Sequence, residues 1–227
     1  KTTILKKDHT LMRSKVEEVL QLVEVKDPQL VRCYPVDVPM VPMAATGTPS
    51  KKVFFYSPNF INENQYLRII KNEKNWLWRH TPQQKHQLRT LEGIIGHEGR
   101  HLTNNDPVTA TLVAFGSPTL GIAANLLLKR KLPTIPTGIA YAALSWILTS
   151  LYMVKAEKRA DLESCQLLGI DHTRSMAKFW KTMDKIEAAN DINLADYPTL
   201  YKLLTMHPPH SERSAYLTTL AEKMETV

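Results

Sequence analysis

The sequence predicts a mainly α protein with a small β element, an α+β fold into which a two-helix membrane hairpin is inserted. Three observations carry that prediction. Apolar residues recur at helical spacing through most of the chain. Residues 30–56 carry β-branched runs with prolines and a turn signal that read as short strands. Two uncharged stretches, Pro107 to Leu128 and Leu132 to Val154, lie back to back with only Lys129-Arg130-Lys131 between them. At 227 residues with 43% hydrophobic content, the chain is sized for one domain, or for one domain plus a membrane element.

In chain order, Asp8 to Glu24 carries Leu11, Met12, Val16, Val19, Leu20 and Val23 at helical spacing. This is an amphipathic helix that packs on the domain or lies on a membrane surface. Asp27-Pro28 ends it. Leu30 to Met43 mixes β-branched residues with Pro35, Pro39 and Pro42 and reads as an edge strand, because proline cannot donate to a ladder. Thr46-Gly47-Thr48-Pro49 reads as a turn and Lys52 to Tyr56 as a second strand. A short helix is expected over Asn62 to Lys71. Trp76 and Trp78, with basic neighbours, form an aromatic connection that suits a core surface or a membrane interface.

Thr81-Pro82-Gln83-Gln84 supplies an N-cap threonine, a proline at the first helical position and a glutamine placed to close a capping box. The helix it starts runs to about Leu102, where Asn104-Asn105-Asp106-Pro107 stops it. Gly93 and Gly96 cost helix propensity and imply close packing against a neighbour. The last turns contain His97-Glu98-Gly99-Arg100-His101, an HExxH pattern. Positions i and i+4 of a helix face the same way, so His97 and His101 can aim ring nitrogens at one ion. Glu98 sits about a third of a turn round and can serve as base toward a water on that ion, the arrangement used in zinc-dependent hydrolysis.

The two uncharged stretches that follow are 22 and 23 residues long, each enough for about 30 Å of hydrocarbon. Gly116, Pro118, Gly121 and Asn125 interrupt the first and allow a kinked or re-entrant path. Gly138 and Ala142 offer a small-xxx-small step for close helix contact. The second stretch continues without a break signal to Leu168, with Gly169 as its stop. That continuation carries Glu157 and Asp161, again at i and i+4, so that one carboxylate can ligate the ion while the other orients a histidine. His97, His101 and Glu157 would then form a three-ligand site with one open position, holding one zinc per chain. Ser175 to Ala189 is amphipathic through Met176, Phe179, Trp180, Met183 and Ile186. Thr199 to Leu204 suits a short helix, and His207-Pro208-Pro209-His210 opens a last one through about Met224.

The net charge of +7 comes from scattered lysines and arginines with no aromatic-basic binding motif, so nucleic acid is not an expected partner. Cys33 and Cys165 lack metal-type spacing and read as buried reduced thiols. The chain begins at Lys1 without a signal-peptide pattern, so an upstream piece is expected to have been removed.

Three blocks together resemble the HtpX-like membrane zinc metallopeptidases, whose relatives include the CAAX prenyl protease and the mitochondrial overlapping-activity protease. They are His97 to His101 followed by Asn104, Asp106, Val108 and Thr109; Glu157-Lys158-Arg159-Ala160-Asp161, similar to the family's ExxAD; and His207-Pro208 with Arg213, similar to its HPxxxxR. The resemblance covers roughly Gln83 to the C-terminus. It implies a zincin-type core of the gluzincin class, Glu157 as third zinc ligand, Asp161 supporting it, and His207 and Arg213 over the cleft stabilising an oxyanion. It further implies polypeptide substrates, a lipid bilayer around the hairpin and an inner membrane, mitochondrial in preference to bacterial. Residues 1–106 and 155–227 would form one catalytic domain, with residues 107–154 as the inserted hairpin. Gly99 and Arg100 depart from the family's usual aliphatic and small residues, and its Asn-Ala-Phe edge-strand signature is missing, with Pro39 to Thr46 in its place. Two function classes follow. One is an endopeptidase acting on unfolded or membrane-proximal proteins. The other is a zinc-retaining, non-cleaving subunit of a larger membrane complex.

Overall fold

In the computed structural model, which describes residues 6–36, 43–63, 65–73, 80–127, 134–189 and 205–226, helix α1 (Lys6–Leu22) turns its apolar stripe inward. Met12, Val16, Val19 and Leu20 are fully buried, so the stripe packs on the domain and not on a membrane surface. Burial on this scale contributes about 1.5–3 kcal/mol per large side chain. Lys15 is buried with them, its Nζ 2.5 Å from Glu92, 3.0 Å from Glu73 and 3.2 Å from Glu18. The cation occupies the centre of that acidic trio and ties α1 to the helices bearing Glu73 and Glu92.

The proline-punctuated stretch expected as one edge strand is two strands, β1 (Arg32–Pro35) and β2 (Met43–Thr48). Pro39 and Pro42 lie outside the described residues. β3 (Lys51–Tyr56) runs between them, parallel to β1 and antiparallel to β2. The turn expected at residues 46–49 shifts to Pro49-Ser50, because Thr46, Gly47 and Thr48 pair with Val53, Lys52 and Lys51. Gly47 adopts φ +129°, and a Cβ there would lie 2.0 Å from the Lys51 carbonyl oxygen, so cross-strand pairing is compatible with glycine alone at this point. The single helix expected over Asn62 to Lys71 is also two, α2 (Pro58–Glu63) and α3 (Tyr66–Glu73), with Gln65 at φ 55° between them. Pro58 at an N-terminal helical position was the missed start signal. Trp76 and Trp78 lie outside the described residues.

Helix α4 (Pro82–Thr103) begins with the expected capping box: Gln84 N–H donates to Thr81 Oγ1 at 3.2 Å and Thr81 N–H to Gln84 Oε1 at 2.9 Å. It is the hub of the fold, packed by α1, by β2 and by two later helices. Its glycines permit that packing. A Cβ at Gly93 would lie 2.5 Å from Met176 Cγ, at Gly96 2.8 Å from Leu168 Cδ1 and at Gly99 2.7 Å from Leu20 Cδ2. Gly99, where the related family carries an aliphatic residue, is therefore the place where α1 closes on α4.

Helices α5 (Asp106–Leu127) and α6 (Thr134–Leu168) form the hairpin; the Lys129-Arg130-Lys131 tip lies outside the described residues. α5 stays helical through Pro118. A proline at 118 cannot bond the Ala114 carbonyl, and Ser145 of α6 takes that role, its Oγ donating to Ala114 O at 2.6 Å. The neighbouring helix thus satisfies the backbone group that the proline frees. Among the described residues nothing lies within 4 Å of a Cβ built at Gly138, the expected close step, whereas one at Gly121 would strike the Tyr141 ring. Leu112, Phe115, Leu120, Ile139, Trp146 and Leu151 are exposed. Among the described residues one helix, Gly138–Leu168, is long and apolar enough to cross a membrane.

Gly169, at φ 95°, ends α6 and leads directly into α7 (Ile170–Ala188), which starts earlier than its apolar pattern because the break is a single residue. Helix α8 (His210–Glu225) packs along α7. The helix expected over Thr199 to Leu204 lies outside the described residues. Cys33 and Cys165 are buried and unpaired.

Candidate metal centre

The last turns of α4 and the middle of α6 bring His97, His101 and Glu157 together, all three buried. One ligand atom from each lies within 4.8 Å of the others. His97 Nε2 is 3.1 Å from His101 Nε2 and 3.3 Å from Glu157 Oε2, and His101 Nε2 is 3.2 Å from Glu157 Oε1. A tetrahedral ion with bonds of about 2.0–2.1 Å spaces its ligands about 3.3–3.4 Å apart, close to the spacing of the two rings and of each ring from its nearer Glu157 oxygen.

The opposite ring nitrogens are both bound to carboxylates. His97 Nδ1 is 2.8 Å from Asp161 Oδ1, and His101 Nδ1 is 2.8 Å from Asp106 Oδ2. Placing a proton on each Nδ1 leaves both Nε2 lone pairs facing the Glu157 carboxylate, three acceptors with no donor between them. Such a cluster calls for a cation. The electrostatics agree: burial alone would strip protons from both rings, but hydrogen bonds to Asp106 and Glu157 push His101 up to about 10, and Asp161 and Glu157 raise His97. A field that favours protons there favours a divalent ion in their place.

Asp161 is fully buried and anchored. Arg213 donates to it twice, Nη2 to Oδ1 at 2.7 Å and Nε to Oδ2 at 2.8 Å, and the Tyr216 hydroxyl donates to Oδ2. Arg213 is itself 4% exposed, with Nη1 3.4 Å from Glu157 Oε2 and the guanidinium stacked 3.6 Å over the Trp180 ring. It is thus enclosed behind the ligand set. His207 is placed differently: its side chain is half exposed, and Nδ1 sits 3.1 Å from Glu157 Oε2. Arg100, the bulky departure inside the motif, pairs with Glu163 at 2.7 Å and donates to the Val23 carbonyl. Glu98 is half-buried, its Oε2 accepting from the Ala45 N–H of β2 at 2.8 Å. Burial lifts its carboxyl above the usual range against the lowering pull of His97 and His101.

Asp106, expected as part of a helix stop and quoted in the first family block without a role of its own, is also a site residue: it is 1% exposed and accepts from Tyr152 Oη at 2.7 Å and from Arg159 as well as facing His101. The available signal was its position five residues after the second histidine, at the first turn of the next helix. Partners of this kind hold a ligand ring in orientation, and their loss typically weakens metal binding about 10- to 100-fold. Asp106→Asn is expected to raise the zinc dissociation constant by that factor in competition with a chelator. An unchanged constant would remove Asp106 from the support of His101.

In comparisons with known proteins, the family model described as Peptidase family M48 matches residues 11–221. No curated protein and no solved structure matches.

Proposed function

We propose, from the premise that the chain belongs to peptidase family M48, that it is a zinc metalloendopeptidase cleaving unfolded or membrane-proximal polypeptides at a membrane surface. The observation that carries this reading is the donor cluster of His97, His101 and Glu157, with Glu98 beside it and outside the ligand set. These three residues would hold the ion. When bound, zinc supplies Lewis-acid polarisation and makes water acidic enough to ionise near neutral pH. Glu98 Oε1 takes the proton of the attacking water and hands it to the leaving amine. His207, on the exposed side, offers a donor to the developing oxyanion. Arg213 acts one step removed, by fixing Asp161 and so the His97 ring.

The alternative, a non-cleaving subunit, was motivated in part by Arg100 inside the motif. Its engagement with Glu163 removes that motive. The test is to incubate the purified chain with an unfolded polypeptide, with and without a chelator and zinc restoration. Cleavage that is lost on chelation and regained with zinc supports the peptidase reading, and no cleavage at full zinc occupancy overturns it.

The exposed apolar residues of α5 and α6 support a hairpin inserted in a membrane; the family resemblance implies an inner membrane, with the mitochondrial one favoured. α6 runs unbroken from those exposed apolar residues to Glu157, which supports a centre close to the bilayer and substrates held there. Alkaline extraction of membranes is expected to leave the protein in the pellet. Quantitative release to the soluble fraction would count against insertion.

A further inference from the structure

β2 is an edge of the sheet, with β3 on one side and no described strand on the other. In an antiparallel pair the N–H and C=O of one residue point to the same side, and Ala45, opposite Phe54, turns its N–H away from β3 to Glu98 Oε2. The contact is set by strand register and not by the alanine side chain. A shift of one residue would present nothing to Glu98. Among the described residues, Oε1 of Glu98 accepts no hydrogen bond.

The contact answers a difficulty in the site. Glu98 is a carboxylate adjoining two histidines poised for one cation, and a fourth protein ligand would fill the position that catalysis needs open. A charged hydrogen bond to the sheet edge holds it off. We propose that the Ala45 backbone N–H is a positioning group for the reaction: it fastens Glu98 Oε2 to β2, leaves Oε1 as the proton-accepting atom and keeps the carboxylate out of the ligand set. This rests on the peptidase reading.

Two measurements test it. The first needs no turnover. An edge amide without a ladder partner exchanges quickly, so in the metal-free protein the Ala45 amide is expected to be protected by Glu98 and to exchange at least about tenfold faster in Glu98→Ala, while Ala44 and Thr46 are unchanged. Equal exchange in both proteins overturns the contact. The second uses Ala45→Pro, which deletes only this donor; proline is accepted on an edge strand where the N–H faces outward. A hydrogen bond to a charged group is worth about ten- to a hundredfold in rate. Ala45→Pro is therefore expected to lose that factor in kcat, with KM little changed, zinc retained and the melting temperature near wild type. Ala45→Gly, which keeps the N–H, should lie nearer wild type than Ala45→Pro. Turnover alike in the two variants overturns the positioning role. A wild-type chain no more active than Glu98→Gln, with the exchange signature intact, overturns the peptidase reading and the catalytic role with it, and leaves the contact standing as a separate result.

Discussion

Glu98→Gln is expected to lower kcat for peptide cleavage by about a thousandfold while leaving zinc content and melting temperature unchanged. Glutamine keeps the size of the side chain and an oxygen that can still accept from Ala45 N–H, so the packing of β2 on α4 survives. It loses only the ability to take a proton, and general base catalysis contributes about 10²- to 10⁴-fold. The ligand atoms come from His97, His101 and Glu157, which is why the metal should stay. Steady-state kinetics beside metal analysis of the same preparation check both halves. Wild-type turnover in the variant would end the assignment of Glu98 as base, and loss of zinc would mean that Glu98 holds the metal after all.

The second large effect is on stability. Arg213→Ala leaves Asp161 and Glu157 without the guanidinium that faces both, and breaking a buried pair from one side costs about 3–5 kcal/mol. For a chain of this size that lowers the melting temperature by about 6–20 °C. Arg213→Lys should recover little of it, because an ammonium cannot reproduce the two-pronged contact to Asp161. Zinc binding should weaken too, since His97 loses a fixed partner. The competing expectation, that Arg213 is an oxyanion donor, requires a kcat loss of roughly a hundredfold at unchanged stability. Thermal melts with and without zinc, set beside turnover per zinc-loaded folded molecule, separate the two.

Much of this architecture is written locally. The capping box, the helical spacing of His97 and His101, and the recurrence of the same spacing at Glu157 and Asp161 need only 3.6 residues per turn, and α4 and α6 follow the pattern closely. What local pattern could not show was pairing at a distance. Gly47 carries a turn signature, yet pairing with Lys52 makes it strand. Gly121, which the sequence marks only as an interruption, is where α5 closes on Tyr141 of α6. Asp106 looked like punctuation because its partners, Tyr152 and Arg159, come from another helix. Arg213 was placed by a motif that gives sequence distance only. The enclosure of its guanidinium depends on Trp180 and Tyr216, which no spacing rule connects to it.

Helix α6 is one rod of 35 residues, with exposed apolar residues along its first half and the candidate ligand Glu157 in its second. From Trp146 to Glu157 is about 16 Å of helix at 1.5 Å per residue. With the hairpin in a bilayer, a change in hydrocarbon thickness is met by tilting, and a tilt of about 10° around Trp146 would swing Glu157 by about 3 Å. Metal sites tolerate roughly 0.2 Å. Coordination would therefore survive only if α4 swings with α6, and the mechanical linkage near the histidines is Arg100 of α4 to Glu163 of α6 together with Asp106 of α5, which bridges His101 of α4 and Arg159 of α6. In a bilayer, membrane thickness would thereby become a variable of the coordination chemistry.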